Sequence, residues 1–205
     1  MIYLSGATRA EVVQSGIGFI ATPANGQVTQ LGCYPAWAAD NGCFAQADRF
    51  DLSRYLAWLD KLRPHQARCL FATAPDVVGD AQATWRRAAP ALPLLREMGY
   101  RAALVAQDGL ETMAVEWDAL DCLFIGGSTA WKLSLAAATL VRQARERDKW
   151  VHMGRVNSRR RMLYAHAIGC QSCDGTYIKF GPDKNLPRLS RWVREVRDQT
   201  HLGVL

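Results

Sequence analysis

Six short stretches place polar side chains beside glycine or proline just after an apolar run. They are Asp40-Asn41-Gly42, Pro75-Asp76, Gln107-Asp108-Gly109, Gly126-Gly127-Ser128, Gly154-Arg155 with Asn157 close behind, and Asp174-Gly175. Any one of them alone reads as a turn or a helix cap, because Asp, Asn and Gly are favoured there for local backbone reasons. As a set they suit a particular chemistry. Carboxylates crowded into a half-enclosed pocket drive each other's pKa values apart. The result is one ionised group and one that carries a proton. That pairing suits displacement at the anomeric carbon of a sugar. One carboxylate attacks or stabilises the cationic centre while a second group handles the proton of the departing or entering base. The remaining carboxylate and the Gln side chain can bind the N–H edge of a base. Backbone at Gly126 and Gly127 can approach a ring closely, since no Cβ intervenes.

These residues converge only if the elements before them share one end of a sheet. The apolar runs are Ile2–Leu4, Gly18–Ala21, Ala36–Ala39, Arg68–Thr73, Ala102–Ala106, Cys122–Ile125, Trp150–Met153 and Gly169–Cys173. Their apolar character is continuous rather than alternating, as in parallel strands covered on both faces. Helical patterns lie between them, over Asp51–Leu62, Asp80–Met98, Thr129–Arg147, Arg159–Ile168 and Arg188–Gln199. Pro90 and Pro93 are expected to kink or split the second of these. Eight strands alternating with helices predict a compact α/β (β/α)8 TIM-type barrel spanning residues 1–205 as one domain. A doubly wound open sheet is the alternative. Neither GxGxxG after a strand nor GxxxxGK[ST] occurs, so the two common nucleotide-loop signatures are absent.

The chain has 205 residues, 49% of them hydrophobic and 21% charged, enough apolar material for one sizeable core. No apolar run reaches the ~20 residues of a membrane helix. The opening residues do not resemble a secretory signal, so a cytoplasmic location and no membrane partner are expected. Cys69, Cys122 and Cys170 lie in apolar runs and read as buried free thiols. Cys170 and Cys173 have CxxC spacing, but no second such pair exists to complete a zinc site. No metal or cofactor is expected. The net charge is +6, and the arginines cluster in RVNSRRR at 155–161 and RLSRWVREVR at 188–197. Such clustering suggests a polyanionic partner. For 155–161 the placement just after the seventh run favours that function over a merely solvated face.

The order of motifs resembles that of the tRNA-guanine transglycosylases and their relatives that place 7-deazaguanine bases in DNA. Asp40-Asn41-Gly42-Cys43-Phe44 is similar to the family's DSGGFQ segment, Val105–Gly109 to its V-Q-G strand end, and Gly126-Gly127 to its glycine pair. Val151–Val156 is similar to its Y-L-M-G-V-G segment, and Gly169–Asp174 to the segment bearing its nucleophile. The tRNA enzymes carry a zinc subdomain of three Cys and one His after the nucleophile. No Cys follows Asp174 here, so that subdomain is not expected. The shorter DNA-directed relatives of phages and bacterial genomic islands are the closer match, through WAADNG, ATAPDVVGDA, LFIGGSTAWKLS and HMGRVNSRRR.

The resemblance implies a DNA base-exchange enzyme with a 7-deazaguanine-type co-substrate and DNA favoured over tRNA. A phage-encoded enzyme would work in the bacterial host cytoplasm. In that scheme Asp174 is the nucleophile and Asp40 the acid/base. Asn41, Phe44, Asp76, Gln107, Gly126, Gly127, Met153 and Gly154 surround the base. Lys132, Arg155, Arg159, Arg160 and Arg161 are expected to hold phosphates, from their place after the sixth and seventh strands. Two other readings stay open: base exchange or hydrolysis on free nucleosides or tRNA, and a non-catalytic nucleic-acid-binding barrel. Small barrels of this kind often self-associate, but the sequence identifies no interface.

Overall fold

Short runs of aromatic, aliphatic and alanine residues between turn signals form the strands. The structure is a computed structural model, and it describes residues 1–7, 10–25, 28–46 and 49–201. The strands are β1 (Ile2–Ser5), β2 (Gly18–Ala21), β3 (Trp37–Ala39), β4 (Cys69–Thr73), β5 (Ala102–Ala106), β6 (Cys122–Ile125), β7 (Trp150–Met153) and β8 (Ser172–Asp174). Each pairs in parallel with the next, and β8 returns to pair with β1. The chain is therefore a closed eight-stranded α/β barrel of the TIM type, and the open-sheet alternative falls away.

The continuous apolar runs conceal a period of two. Leu4, Ile20, Ala38, Phe71, Ala103, Val105, Cys122 and Phe124 form a small cluster inside the barrel. Their neighbours Tyr3, Phe19, Trp37, Ala72, Leu104, Leu123, Val151 and Met153 belong to the larger layer between strands and helices. Both faces are buried, so both are apolar, and alternation is invisible to a hydropathy reading.

The helices are α1 (Ala10–Gln14), α2 (Cys43–Gln46), α3 (Leu52–Lys61), α4 (Ala81–Ala88), α5 (Ala91–Glu97), α6 (Thr129–Lys132), α7 (Leu135–Arg145), α8 (Arg159–Ala167) and α9 (Pro182–His201). Their starts follow capping chemistry. The Asp51 and Asp80 carboxylates accept from the backbone N–H of Arg54 (3.0 Å) and Ala83 (2.8 Å). Ser128, Ser134 and Ser158 accept from Trp131, Ala137 and Arg161 in the same way. The expected break of the 80–98 pattern falls between α4 and α5, at Ala89-Pro90. The 129–147 pattern, expected to be one helix, is two, because Ser134 caps a second start. The last helix begins earlier than expected, at Pro182, and contains Pro187.

One strand is displaced from its expected position. Gly169, with φ 102°, ends α8 in the left-handed region, and Cys170 N–H still bonds back to Ala165 (2.9 Å). Strand β8 therefore starts at Ser172, and Asp174 is its last residue rather than the first beyond it. Both CxxC cysteines are buried free thiols.

Candidate active site

At the C-terminal ends of the strands a cavity of about 330 Å³ opens toward solvent. Its walls include Asp40 and Asn41 after β3, Asp76 after β4, Gln107 after β5, Gly126 after β6, Gly154, Arg155 and Asn157 after β7, and Asp174 at the end of β8. The structure thus brings together at one mouth residues that are far apart along the chain. Phe124 lines the cavity and packs edge to face on Phe71, ring centroids 6.0 Å apart.

Asp76 is the most tightly held of the three carboxylates. Asn41 Nδ2 donates to its Oδ1 (3.1 Å) and Gln107 Nε2 donates to its Oδ2 (2.7 Å). The two amides are themselves fixed. Asn41 Nδ2 also reaches the Ala74 carbonyl (2.7 Å), and its Oδ1 accepts from Cys43 N–H (2.7 Å). Gln107 Oε1 accepts from Gly79 N–H (3.0 Å). Burial raises the Asp76 pKa, and the Asn41 and Gln107 hydrogen bonds oppose the rise. Each Asp76 oxygen keeps a lone pair for a ligand donor. Asn41 thus both lines the cavity and holds Asp76.

Asp40 behaves differently. Its Oδ1 accepts from Gly42 N–H (2.7 Å). Burial pushes its carboxyl up to about 7, with the Asp174 and Asp76 charges adding to the rise and the Gly42 bond resisting it.

Asp174 sits partly exposed on the cavity wall. His152 Nε2 lies 3.0 Å from its Oδ1, and His152 Nδ1 lies 2.8 Å from Ser172 Oγ. Neither His152 nor Ser172 stands beside a turn signal, so neither is among the expected site residues. The signal was present as alternation, since Trp150-x-His152 and Ser172-x-Asp174 face inward on adjacent strands with His152 opposite Ser172.

The glycines are required by space. A Cβ at Gly126 would lie 2.6 Å from Val105, and one at Gly154 would lie 2.7 Å from the Phe124 ring. A Cβ at Gly127 would press into the Trp131 ring. Gly127 lies just outside the cavity wall, so its expected contact with a base is corrected to a packing role.

Arg155 spans the mouth. It has φ 59°, and its guanidinium donates to the Gly126 carbonyl (2.7 Å) and to the Gly127 carbonyl. Its centre lies 5.3 Å from the ring centroid of Phe44, which is 68% exposed. Arg155 is thus a wall of the cavity rather than a surface cation. Two further expectations are corrected. Met153 points outward and is fully buried in the layer between strands and helices, because inward positions on β7 belong to His152. Lys132 is buried, with Nζ donating to the Gly154 carbonyl (2.7 Å). Burial first, then the Arg155 charge, lowers its pKa to about 8. It supports the Gly154–Arg155 corner from behind and does not meet solvent phosphate. Arg159 is paired with Glu195 of α9. Arg161 reaches back to the Arg155 carbonyl (3.4 Å). Arg160, beside it at the start of α8, is exposed.

A larger groove of about 720 Å³ runs between α7 and α8. Among the described residues no carboxylate lines it, and it shares no lining residue with the cavity at the mouth. Among the described residues no helix is long and apolar enough to cross a membrane.

No family model and no curated protein matches the sequence. Solved structures do match in fold. A putative isomerase from Sinorhizobium meliloti, in an open-loop conformation, matches at 15% identity and a TM-score of 0.55, over 89% of this chain and 52% of that one. The chain thus spans about half the isomerase's length. The BexX/CysO complex of Amycolatopsis orientalis matches at 15% identity and a TM-score of 0.58, over 98% and 91%. Dihydrodipicolinate synthase from Bacillus clausii matches at 11% identity and a TM-score of 0.54, over 96% and 75%. These likenesses are of fold, and no transglycosylase is among the three.

Proposed function

We propose that this barrel exchanges a guanine of DNA for a 7-deazaguanine-type base through a covalent glycosyl-aspartate. The observation that carries the reading is the unequal state of three carboxylates around one cavity. Asp40 titrates near neutrality, Asp76 is stitched to two amides, and Asp174 lies on the wall backed by a histidine.

In the first half-reaction an Asp174 oxygen bonds to C1′ of the target nucleotide. The C1′–N9 bond breaks, its electron pair stays on the guanine, and Asp40 gives that base a proton. In the second, the incoming base loses its N9 proton to Asp40 and its nitrogen attacks C1′. The bond to Asp174 breaks and the carboxylate is restored. One base replaces the other with no net proton change and two inversions at C1′. Asp76 and Gln107 hold the base edge in both steps. The nucleotide must leave the helical stack to reach the cavity, at a cost of a few kcal/mol. Phe44 at the rim offers a face on which a base can stack.

A denaturing gel tests the nucleophile. Protein mixed with guanine-containing DNA should give a protein–DNA adduct that Asp174→Asn abolishes. An adduct that persists in the variant removes Asp174 from the role.

A second reading, base exchange on free nucleosides, is favoured by one observation. Of the five cations expected at phosphates, Lys132 is buried, Arg155 is held in the wall and Arg159 is paired. Labelled guanine offered with DNA, tRNA and free nucleoside separates the two readings. Incorporation into nucleoside alone would exclude the polymer.

A further inference from the structure

Behind Asp174 a column of polar side chains runs down the inside of the barrel, through an interior that is otherwise apolar and aromatic. Trp150 and His152 alternate on β7, and Ser172 and Asp174 alternate on β8. Trp150 Nε1 donates to Ser172 Oγ (2.8 Å). That hydroxyl also meets His152 Nδ1 (2.8 Å), and His152 Nε2 meets Asp174 Oδ1 (3.0 Å). His152 and Ser172 are fully buried.

Counting protons fixes the direction of the chain. The Trp indole is a donor only, so Ser172 Oγ accepts from it. The Ser172 hydroxyl has one proton, and among the described residues its remaining partner is His152 Nδ1. If Nδ1 carried a proton, the hydroxyl proton would be stranded in a dry interior, which is costly. Nδ1 therefore accepts, and the ring proton lies on Nε2, directed at Asp174. Every proton in the column then has an acceptor. The ring is also clamped, with the Phe71 and Phe124 centroids 5.0 and 4.5 Å from its own.

We propose that His152 is a positioning residue for Asp174. Through an Nε2–H donated to Oδ1, with its tautomer set by Ser172 and Trp150, it holds the carboxylate so that Oδ2 faces the cavity. The proposal rests on the reading of Asp174 as the nucleophile for its consequence, but not for its geometry. An attacking carboxylate free to rotate would spend part of its time misaligned, and a fixed one is in place before substrate arrives. Because the donor is fixed by a buried hydroxyl two strand positions from Asp174, the column is built into the barrel and does not wait for a ligand.

Two measurements test it. Nitrogen-15 correlation spectra of the substrate-free protein, with His152 assigned by its loss in His152→Gln, should show the ring proton on Nε2. A proton on Nδ1 overturns the proposal, whatever the enzyme acts on. Single-turnover adduct formation on guanine-containing DNA gives the second measurement. His152→Leu and Ser172→Ala should slow the step by roughly 10- to 100-fold, the size of loss known for partners behind metal-ligating side chains, with DNA binding unchanged. His152→Gln and Ser172→Thr, which keep a donor or a hydroxyl, should recover most of the rate. Equal rates in wild type, His152→Leu and Ser172→Ala would refute positioning while leaving Asp174 as nucleophile. No adduct in wild type would instead refute the proposed reaction, and the spectra would still decide the tautomer.

Discussion

The Asp40→Asn substitution probes the cavity's electrostatics without needing a substrate. Burial lifts the Asp40 carboxyl from 3.8 to about 7. In the unfolded chain it is ionised above about pH 4, while in the fold it keeps its proton up to about pH 7. The folded state therefore binds the proton more tightly. The stability this contributes is fully present below the unfolded pKa and is lost as pH rises through the folded one. Between pH 5 and pH 8 the loss is about 3 kcal/mol, at ~1.4 kcal/mol per unit over roughly two units. For a chain of this size that is on the order of 5 to 10 °C in Tm. Asn cannot ionise, and its carbonyl oxygen can still accept from Gly42 N–H, where Asp40 Oδ1 now accepts at 2.7 Å. Thermal unfolding of wild type and Asp40→Asn across this range should give curves that diverge as pH rises, with the variant gaining, and that run parallel above about pH 7. A difference that stays flat with pH would mean that Asp40 is as well solvated in the fold as in the unfolded chain. The electrostatic argument for its acid/base role would then fail.

Arg155→Gly should be more stable than Arg155→Ala by about 1 kcal/mol in urea unfolding, because only glycine adopts a left-handed φ without strain. Equal midpoints would show that the corner relaxes freely. Gly127→Ala should lose ~1–3 kcal/mol as its new methyl overpacks against Trp131, and thermal unfolding reads this directly. Arg160→Ala should lower the salt dependence of DNA binding by about one charge. Arg159→Ala, whose side chain is paired with Glu195, should change it less. A slope unchanged in Arg160→Ala would remove α8 from the nucleic-acid surface.

The strands were readable because parallel barrel strands are apolar on both faces and stand out as blocks between polar turns. The same property hid the direction of each side chain. Met153 and His152 are neighbours in one apolar block, and hydropathy could not say that His152 points in and Met153 out. Asp40, Asp76, Gln107 and Asp174 were readable because a barrel gathers strand ends at one mouth, so position along the chain stands in for position in space. Lys132 departs from its expected place for the complementary reason. It follows β6 just as the others follow their strands, but it sits on helix α6 with its ammonium turned onto the Gly154 carbonyl, a contact between elements that no local pattern announces. The same holds for the Arg159–Glu195 pair, which joins α8 to α9.

The closure of the sheet by β8 against β1 also governs how this protein comes into being. Leu4 lies opposite Asp174 in that pairing. On the ribosome β1 therefore emerges before the other strands but keeps one edge unpaired until almost the whole barrel has been made. A seam between sequence-distant strands is the slow kind of contact to form, and an unpaired strand edge invites association with other chains while it waits. Chains halted before Ser172 would carry the walls that hold Asp76, but neither Asp174 nor a closed sheet. The arrival of β8 thus finishes the barrel and supplies Asp174 in a single event.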